Sequence, residues 1–494
     1  MIKFVKLNES FCRIVCEAHI LYELSPHFEF FSENYQYSPK YKKGYWDGKI
    51  KLLSNKTGKF YTGLLKEMII QAKKLGYNQF SFENFDKPIK EYTEEAILSS
   101  IERFKLPVDR QVREYQLYAI LTSLLSYRRV IESPTSSGKS LVIYIISRIL
   151  LESDKKILIV VPNTMLVDQL ISDIRSYSID DNSFDVDEHY HQVFAGQKKT
   201  SNKNVILSTW QSIIAIQKED MDEYLEQFEA IIIDESHGCD ANSLKMIMEK
   251  SINAKYRIGL SGTFKNSTSH RLAIEGMFGS IKKMVSIKEL MDAGHIAKLK
   301  IKCIVLNYSE EMRKLVSTMD YDQELDTIIG YQKRNKFIAN LADKIEGNTL
   351  TILRYIEKHA NNLKDLYDAK NNKITYLLTG ETDKDEAIFI KNNMEKITNA
   401  NLMGTYGKLA TGMSVVNLNN GIMASPSKSK IKVLQFIGRL LRKGKNKTHA
   451  TIYDIVDRLD YDGKENYLMK HFRERHKYYT DEEFDVEIIE IKIG

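Results

Sequence analysis

Residues 133–140 read SPTSSGKS and residues 234–237 read DESH. A short strand, Arg129–Ser133, enters the first stretch, and Lys139–Leu151 has helical character. A loop between a strand and a helix can converge several backbone N–H groups on one phosphate. Gly138 lets the chain turn closely around oxygen atoms, Lys139 supplies a point charge for the β/γ-phosphates, and Ser140 can place a hydroxyl on magnesium. Thr135, Ser136 and Ser137 complete the cradle, although Ser133 stands where the usual pattern has glycine. The second stretch ends the apolar run FEAIIID at 228–234. Asp234 is placed to hold magnesium, and Glu235 to orient and deprotonate the attacking water. Each motif has a bland alternative, a chance Gly-Lys-Ser or a solvated acidic strand end. The pair in this order points to a nucleoside-triphosphate hydrolase.

Around these motifs strands and helices alternate. KILIVV at 156–161, Val205–Thr209, Ala230–Asp234 and Arg257–Ser261 are apolar runs suited to buried parallel strands, with a helix over Thr164–Arg175. A second set follows: strands at Thr349–Arg354, Ile374–Leu378, Asn401–Gly404, Ile422–Ser425 and Ala450–Ile455, helices at Asp383–Lys396 and Ile431–Arg442. This predicts an α/β chain of two tandem parallel-sheet lobes, residues 91–290 and 291–458. A small N-terminal α+β domain over 1–90 joins through a polar segment near 86–108. A helical C-terminal extension, 459–494, ends in the strand-like Phe484–Ile493.

At 494 residues the chain is too long for one core. Its 72 basic and 66 acidic residues leave a formal charge of +6, compatible with nucleic acid along one cleft. Four cysteines, at 12, 16, 239 and 303, fit neither a disulfide framework nor a zinc site. Leu141–Leu151 is too short to span a bilayer and is broken by Ser147 and Arg148. A cytoplasmic enzyme with no membrane segment is expected.

With these motifs in order, the chain resembles superfamily 2 helicases and translocases of the DExH kind, which implies two tandem RecA-like lobes and an ATP hydrolase. Gln116, in Tyr115-Gln116, resembles the adenine-reading glutamine; VPNTMLVDQL at 161–170 resembles motif Ia, with Pro162 and Thr164 facing a nucleic-acid phosphate. STWQ at 208–211 resembles the next strand-contacting motif, through Thr209 and Gln211, and Ser261-Gly262-Thr263 resembles motif III. Gly404–Val415 resembles motif V, with Thr405 and Gly412 on the nucleic acid, but Ser414 stands where an acid is common. QFIGRLLR at 435–442 matches motif VI. Arg439 and Arg442 are three apart, on one helical face, and the resemblance implies that they act as arginine fingers. His237 either links the acidic turn to Gln435 or simply caps a loop.

SIKELMDAGHIAKL at 286–299 resembles the linker of XPB-like and restriction-translocase-like members. Together with YKKGYWDGKIKLL at 41–53, the motif set resembles the UvsW-like DNA helicases of T-even-type phages over nearly the whole chain. That resemblance implies ATP and magnesium, migration of Holliday junctions and forks, fork reversal, R-loop unwinding on RNA–DNA hybrid, and roles in phage recombination, repair and replication. A monomer is expected, with room for a small accessory protein. Lys42, Lys43 and Trp46 suit duplex or junction contact, yet Trp46 equally suits a core position with solvated lysines. Three alternatives stay open: a restriction or repair motor that translocates without unwinding, a non-catalytic strand-annealing scaffold, and an RNA helicase.

Overall fold

The computed structural model describes residues 1–494 except 33–34, 86–90, 195–200, 236–240, 263–267, 408–414, 426, 445–446 and 494. The chain forms two compact units: residues 1–133 with 138–284, and residues 134–137 with 285–494. Among the described residues no helix is long and apolar enough to cross a membrane.

In the first unit the N-terminal strands are β1 (Ile2–Lys6), β2 (Phe11–Val15), β3 (Glu29–Phe31), β4 (Lys49–Lys51), β5 (Lys59–Tyr61) and β6 (Phe80–Glu83). They give a sheet ordered β5-β2-β1-β6 and a separate β3-β4 pair. Phe4, Phe28, Phe60, Leu64 and Met68 fill their own core. β1 and β6 pair in parallel, a crossover that the sequence does not announce. The polar segment near 86–108 contains a helix, Glu94–Arg103, capped by Thr93, whose side chain accepts from Ala96 N. Its Ile97 is buried, so the segment is held by packing as well as by chain connectivity.

This N-terminal part is bolted to the sheet that follows. Arg257 is fully buried and donates to Ser10 Oγ and to the carbonyls of Ala254, Met248 and Ser251. Arg128 pairs with Glu9 at 2.6 Å. A Cβ on Gly63 would come 2.2 Å from the Glu275 carbonyl, so glycine there permits close backbone approach.

The first large sheet comprises β7 (Arg128–Glu132), β8 (Ile157–Val161), β9 (Tyr190–Val193), β10 (Val205–Thr209), β11 (Ala230–Ile233), β12 (Tyr256–Ser261) and β13 (Ile281–Lys283). All its pairings are parallel, in the order β13-β7-β12-β11-β8-β10-β9. β8, β10, β11 and β12 are buried at every position, because helices cover both faces.

The second unit repeats the plan with β14 (Lys298–Asn307), β15 (Thr349–Leu353), β16 (Ile374–Leu378), β17 (Ala400–Thr405), β18 (Asn420–Met423), β19 (His449–Arg458) and β20 (Asp485–Lys492). Their order is β16-β17-β15-β18-β19-β14-β20, again all parallel. The C-terminal segment is built into this unit. Helix Tyr467–Asp481 buries Leu468, Phe472 and Tyr479, and β20 lies beside β14. Glu324, 1 % exposed, receives Tyr467 N and Leu468 N at the start of that helix, where the dipole favours an anion. Arg475 and Asp454, both buried, form a two-pronged ion pair at 2.9 Å, and the Tyr479 hydroxyl donates to Asp454 at 3.0 Å.

Candidate nucleotide and nucleic-acid sites

The phosphate loop leaves the carboxyl end of β7. Ser133 N donates to Ser261 O at 2.9 Å, tying the loop's start to the end of β12. Ser137 N donates to Pro134 O at 3.2 Å, and Ser136 takes a left-handed φ of 71°. Gly138 follows at φ 82° and opens helix Lys139–Glu152. The positive φ demands glycine there, and a Cβ on Gly138 would also lie 2.3 Å from Gln116 Nε2 and displace that side chain. Gln116 is buried in the first turn of helix Glu114–Ser126; its Oε1 accepts from Arg113 N at 2.9 Å and its Nε2 reaches Gly138 O at 3.4 Å.

Lys139 Nζ stands 3.0 Å from Glu235 Oε1 and 3.4 Å from Ser133 O. Ser140 Oγ and Tyr177 Oη share a hydrogen at 2.7 Å. Sequence reasoning missed Tyr177, which reads as one more apolar position on its helix. Burial pushes its hydroxyl up to about 12, so it stays protonated and can donate.

β11 delivers the acidic turn. Asp234 N donates to Val160 O at 2.9 Å, and Asp234 Oδ1 accepts from Glu235 N at 2.9 Å. Glu235 holds a left-handed φ of 48°, a backbone cost of the kind that collects at functional sites. Burial first, and then the charge of Glu235, raise the Asp234 carboxyl to about 7, against the opposing pull of Lys139. Its ordinary value is 3.8, so in the fold the protonated form is favoured. This contribution to stability is complete below the unfolded value and is lost as pH climbs towards 7. Asp234→Asn cannot ionise. Its melting temperature relative to the parent, without nucleotide, is therefore expected to rise between pH 5 and pH 8. An equal difference at both values would contradict the buried carboxyl.

The donor set suits a magnesium–nucleotide pair: a buried carboxyl, a serine hydroxyl, a lysine poised between acid and carbonyl, and a left-handed glycine at the start of a helix. His237 lies outside the described residues.

At the carboxyl ends of β8, which lies next to β11, and of β10 the sequence-expected strand contacts gather. β8 and β10 are adjacent, with Val161 opposite Thr209. Pro162 follows β8, and Thr164 is exposed at the start of its helix, whose cap is Asn163. Gln211 Nε2 donates to Pro162 O at 3.1 Å. Thr209 is 3 % exposed, and its hydroxyl caps helix Trp210–Ile214 by accepting from Ser212 N.

In the second unit Gln435 and Arg439 lie on helix Lys430–Leu440, with Arg442 two residues beyond. These three are half-buried, while Val433, Leu434, Phe436, Ile437 and Leu440 pack inward. Thr405 ends β17 and borders two cavities at the carboxyl edge of the sheet. One, of about 920 Å³, also holds Arg354, Lys358 and Gly407; the other, of about 630 Å³, adds Lys428, Lys432 and His471. None of these cations was legible as a motif. Burial, then Lys428 and other nearby cations, push His471 down to about 4, so it is neutral. Gly412 lies outside the described residues.

In the N-terminal region Lys42 and Lys43 are exposed on and just after the short helix Pro39–Lys42, and Tyr45 is 83 % exposed. Trp46 is half-buried, its Nε1 donating to Lys49 O at 2.8 Å. Lys49 pairs with Glu29 and Lys51 with Asp47. Phe31, Tyr35 and Tyr41 pack ring to ring beside them.

Comparison with known proteins closes the identification. Residues 1–82 match the family model described as DNA helicase UvsW, N-terminal, and residues 86–266 match that of the type III restriction enzyme res subunit. The ATP-dependent DNA helicase uvsW of Enterobacteria phage T4 is 32 % identical over 501 aligned residues, covering 96 % of each chain. The chain belongs to the UvsW family of DNA helicases. The crystal structure of T4 UvsW superposes with a TM-score of 0.51 at 28 % identity, covering both chains completely. A fragment of a putative HsdR subunit of a type I restriction enzyme from Vibrio vulnificus gives a TM-score of 0.57 at 19 % identity, over 79 % of this chain and 71 % of that one, a likeness of fold. The UvsW family thus carries a superfamily 2 helicase fold in this chain, with the N-terminal sheet as its distinguishing addition.

Proposed function

We propose that this chain uses ATP to remodel branched nucleic acid, migrating forks and four-way junctions, reversing forks and unwinding RNA–DNA hybrid in R-loops. As a member of the UvsW family it is an ATP-dependent DNA helicase by descent. The observation that carries the reading is the juxtaposition of Lys139 with Glu235 at 3.0 Å, beside Asp234 and at the end of a buried parallel sheet. Ligands gather at that edge in open α/β sheets.

In this reading Lys139 leaves Glu235 for the β/γ-phosphates when nucleotide arrives, which frees the Glu235 carboxylate to take a proton from water. Gln116 reads adenine, and the backbone at Thr135, Ser136, Ser137 and Gly138 cradles phosphate oxygens. Ser140 and Asp234 would hold magnesium, which when bound neutralises charge on the phosphates. Arg439 and Arg442, oriented through Gln435, supply guanidinium groups to the γ-phosphate. Pro162, Thr164 and Gln211 in one unit and Thr405 in the other face the nucleic-acid backbone, while the buried Thr209 holds the start of helix Trp210–Ile214 beneath them. Tracking through phosphates makes binding salt-sensitive and tolerant of sequence. Lys42, Lys43 and Trp46 meet the branch point; exposed lysines beside the open Tyr45 ring favour that role over a purely structural one.

The test is ATP-dependent strand displacement on a fork, a four-way junction, an R-loop and a plain duplex, with Glu235→Gln alongside. Branched substrates are expected to be processed faster than the duplex. Glu235→Gln is expected to bind nucleotide and to lose about 10²–10⁴-fold in turnover, the usual worth of a positioned base. Full turnover in the variant would remove Glu235 from the chemistry, and equal rates on all four substrates would remove the preference for branches.

A further inference from the structure

The carboxyl edge of the second sheet carries a third cavity, of about 530 Å³, away from every helicase motif. Asn307, Tyr308, Ser309, Arg313, Arg458, Asp460 and Lys492 line it. These residues end or follow β14, β19 and β20, except Arg313, which lies on the helix Glu310–Val316; the C-terminal segment contributes Lys492. Three of the seven are cationic and one is a carboxylate. Glu490 stands near, but its two oxygens are taken by Arg458 at 2.9 Å and Asn307 Nδ2 at 3.3 Å. Arg313 Nη1 makes one long contact, 3.4 Å to Asp460 O, and its Nε is buried with no hydrogen-bond partner among the described residues. Lys492 is exposed and has no ion-pair partner among them. The terminal nitrogens of Arg313 make only that long contact among the described residues, and with Lys492 on the same cavity they suit an oxyanion, since the fork of a guanidinium matches two phosphate oxygens.

We propose that this cavity takes a backbone phosphate of DNA that has passed beyond the motif-bearing surface. The idea rests on the helicase reading above. Its geometric support is continuity: the cavities bordered by Arg354 and Thr405 lie on the same edge of the same sheet, at β15, β17 and β18. From β15 to β14 is three strand spacings, roughly 14 Å, and to β20 roughly 19 Å. Those are a few nucleotide lengths along one strand. A polynucleotide leaving Thr405 towards β20 therefore meets Arg313 and Lys492 as a second anchor, gripping a flanking arm while the motifs grip the strand being moved. Arg458 is the rim of this anchor, already neutralised by Glu490.

Full-length protein carrying Arg313→Gln with Lys492→Gln tests the assignment, with Lys492→Glu as a single exposed change that spares the fold. The probes are a fork with long duplex arms, a short single strand, and inorganic phosphate. Both variants are expected to bind the fork about tenfold more weakly at 0.1 M salt, with a salt slope shallower by about one. ATP turnover saturated with the short single strand should be unchanged, because no residue of the nucleotide site is touched. Unaltered fork affinity and slope would overturn the proposal. So would weaker competition by inorganic phosphate with no loss of fork affinity, which would mark a site for the free ion. A parent protein without DNA-stimulated turnover would remove the helicase reading and this anchor together. Intact turnover with unaltered fork binding would remove the anchor alone.

Discussion

Lys139→Ala is expected to lower DNA-stimulated ATP turnover by about 10²–10³-fold, the usual worth of a preorganised charge aimed at a transition state. The side chain meets Glu235 Oε1 and Ser133 O, and the ammonium is a cation that opposes the rise of the Asp234 carboxyl. Its removal therefore does two things. It takes away charge compensation for the β/γ-phosphates, and it removes the lysine charge beside two neighbouring carboxyl groups. The second effect pushes Asp234 further towards its neutral form, which holds a divalent cation less well. Turnover should consequently fall more steeply below pH 7 than in the parent. Steady-state turnover across pH 6 to 9 checks both parts. A variant within tenfold of the parent at pH 8 would show that the loop does not hold a triphosphate.

The second large effect is structural. Arg475→Ala leaves Asp454, 0 % exposed, without its guanidinium, and keeps the Tyr479 hydroxyl as its remaining donor. Breaking a buried ion pair by removing one partner costs about 3–5 kcal/mol. For a unit of this size that is a fall of about 10 °C in its melting transition. Asp454→Ala, which strands the arginine instead, should cost a similar amount. Replacing both at once, Asp454→Leu with Arg475→Met, should recover most of the loss, because two apolar groups need no partner. Calorimetry that resolves a separate transition for residues 285–494 is the measurement. A single Arg475→Ala that melts with the parent would mean that helix Tyr467–Asp481 is held by apolar contacts alone.

The sequence carried the two sheets well where strands are buried on both faces. Val205–Thr209, buried at every position, was readable to the residue; Ile374–Leu378 was matched as well, although it is an edge strand whose Ile374 is exposed. β9 and β13 were not readable, since YHQV and IKK are short, polar runs at or near sheet edges. β14 was hidden by its opening KLKIK, in which lysines mask the apolar half of an alternating pattern. The strand character of Phe484–Ile493 was legible, but its seat beside β14 was not, because pairing between positions so far apart leaves no local trace. The same division runs through the sites. Gly138, Lys139, Ser140, Asp234 and Glu235 announce themselves, since phosphate chemistry fixes residue types at fixed spacing. Tyr177 and Arg354 do not: a hydroxyl reaching a serine from another helix, or an arginine following a strand, becomes meaningful only when the sheet brings its neighbours near. His237 and Gly412 lie outside the described residues, and their assignments stand on the motifs alone.

The register that sets Lys300 opposite Asp485 has a consequence for how this polypeptide emerges from the ribosome. The two positions are 185 residues apart (485 minus 300), so β14 is synthesised long before its outer neighbour. At about 5–20 residues per second, one flank of β14 waits roughly 10–40 s for its partner. Meanwhile Ile301, Cys303 and Val305, later sealed inside, have only part of their cover. Residues 1–133 and 138–284 need nothing from that stretch and can mature first, so nascent chains arrested after residue 459 should engage chaperones through their trailing half.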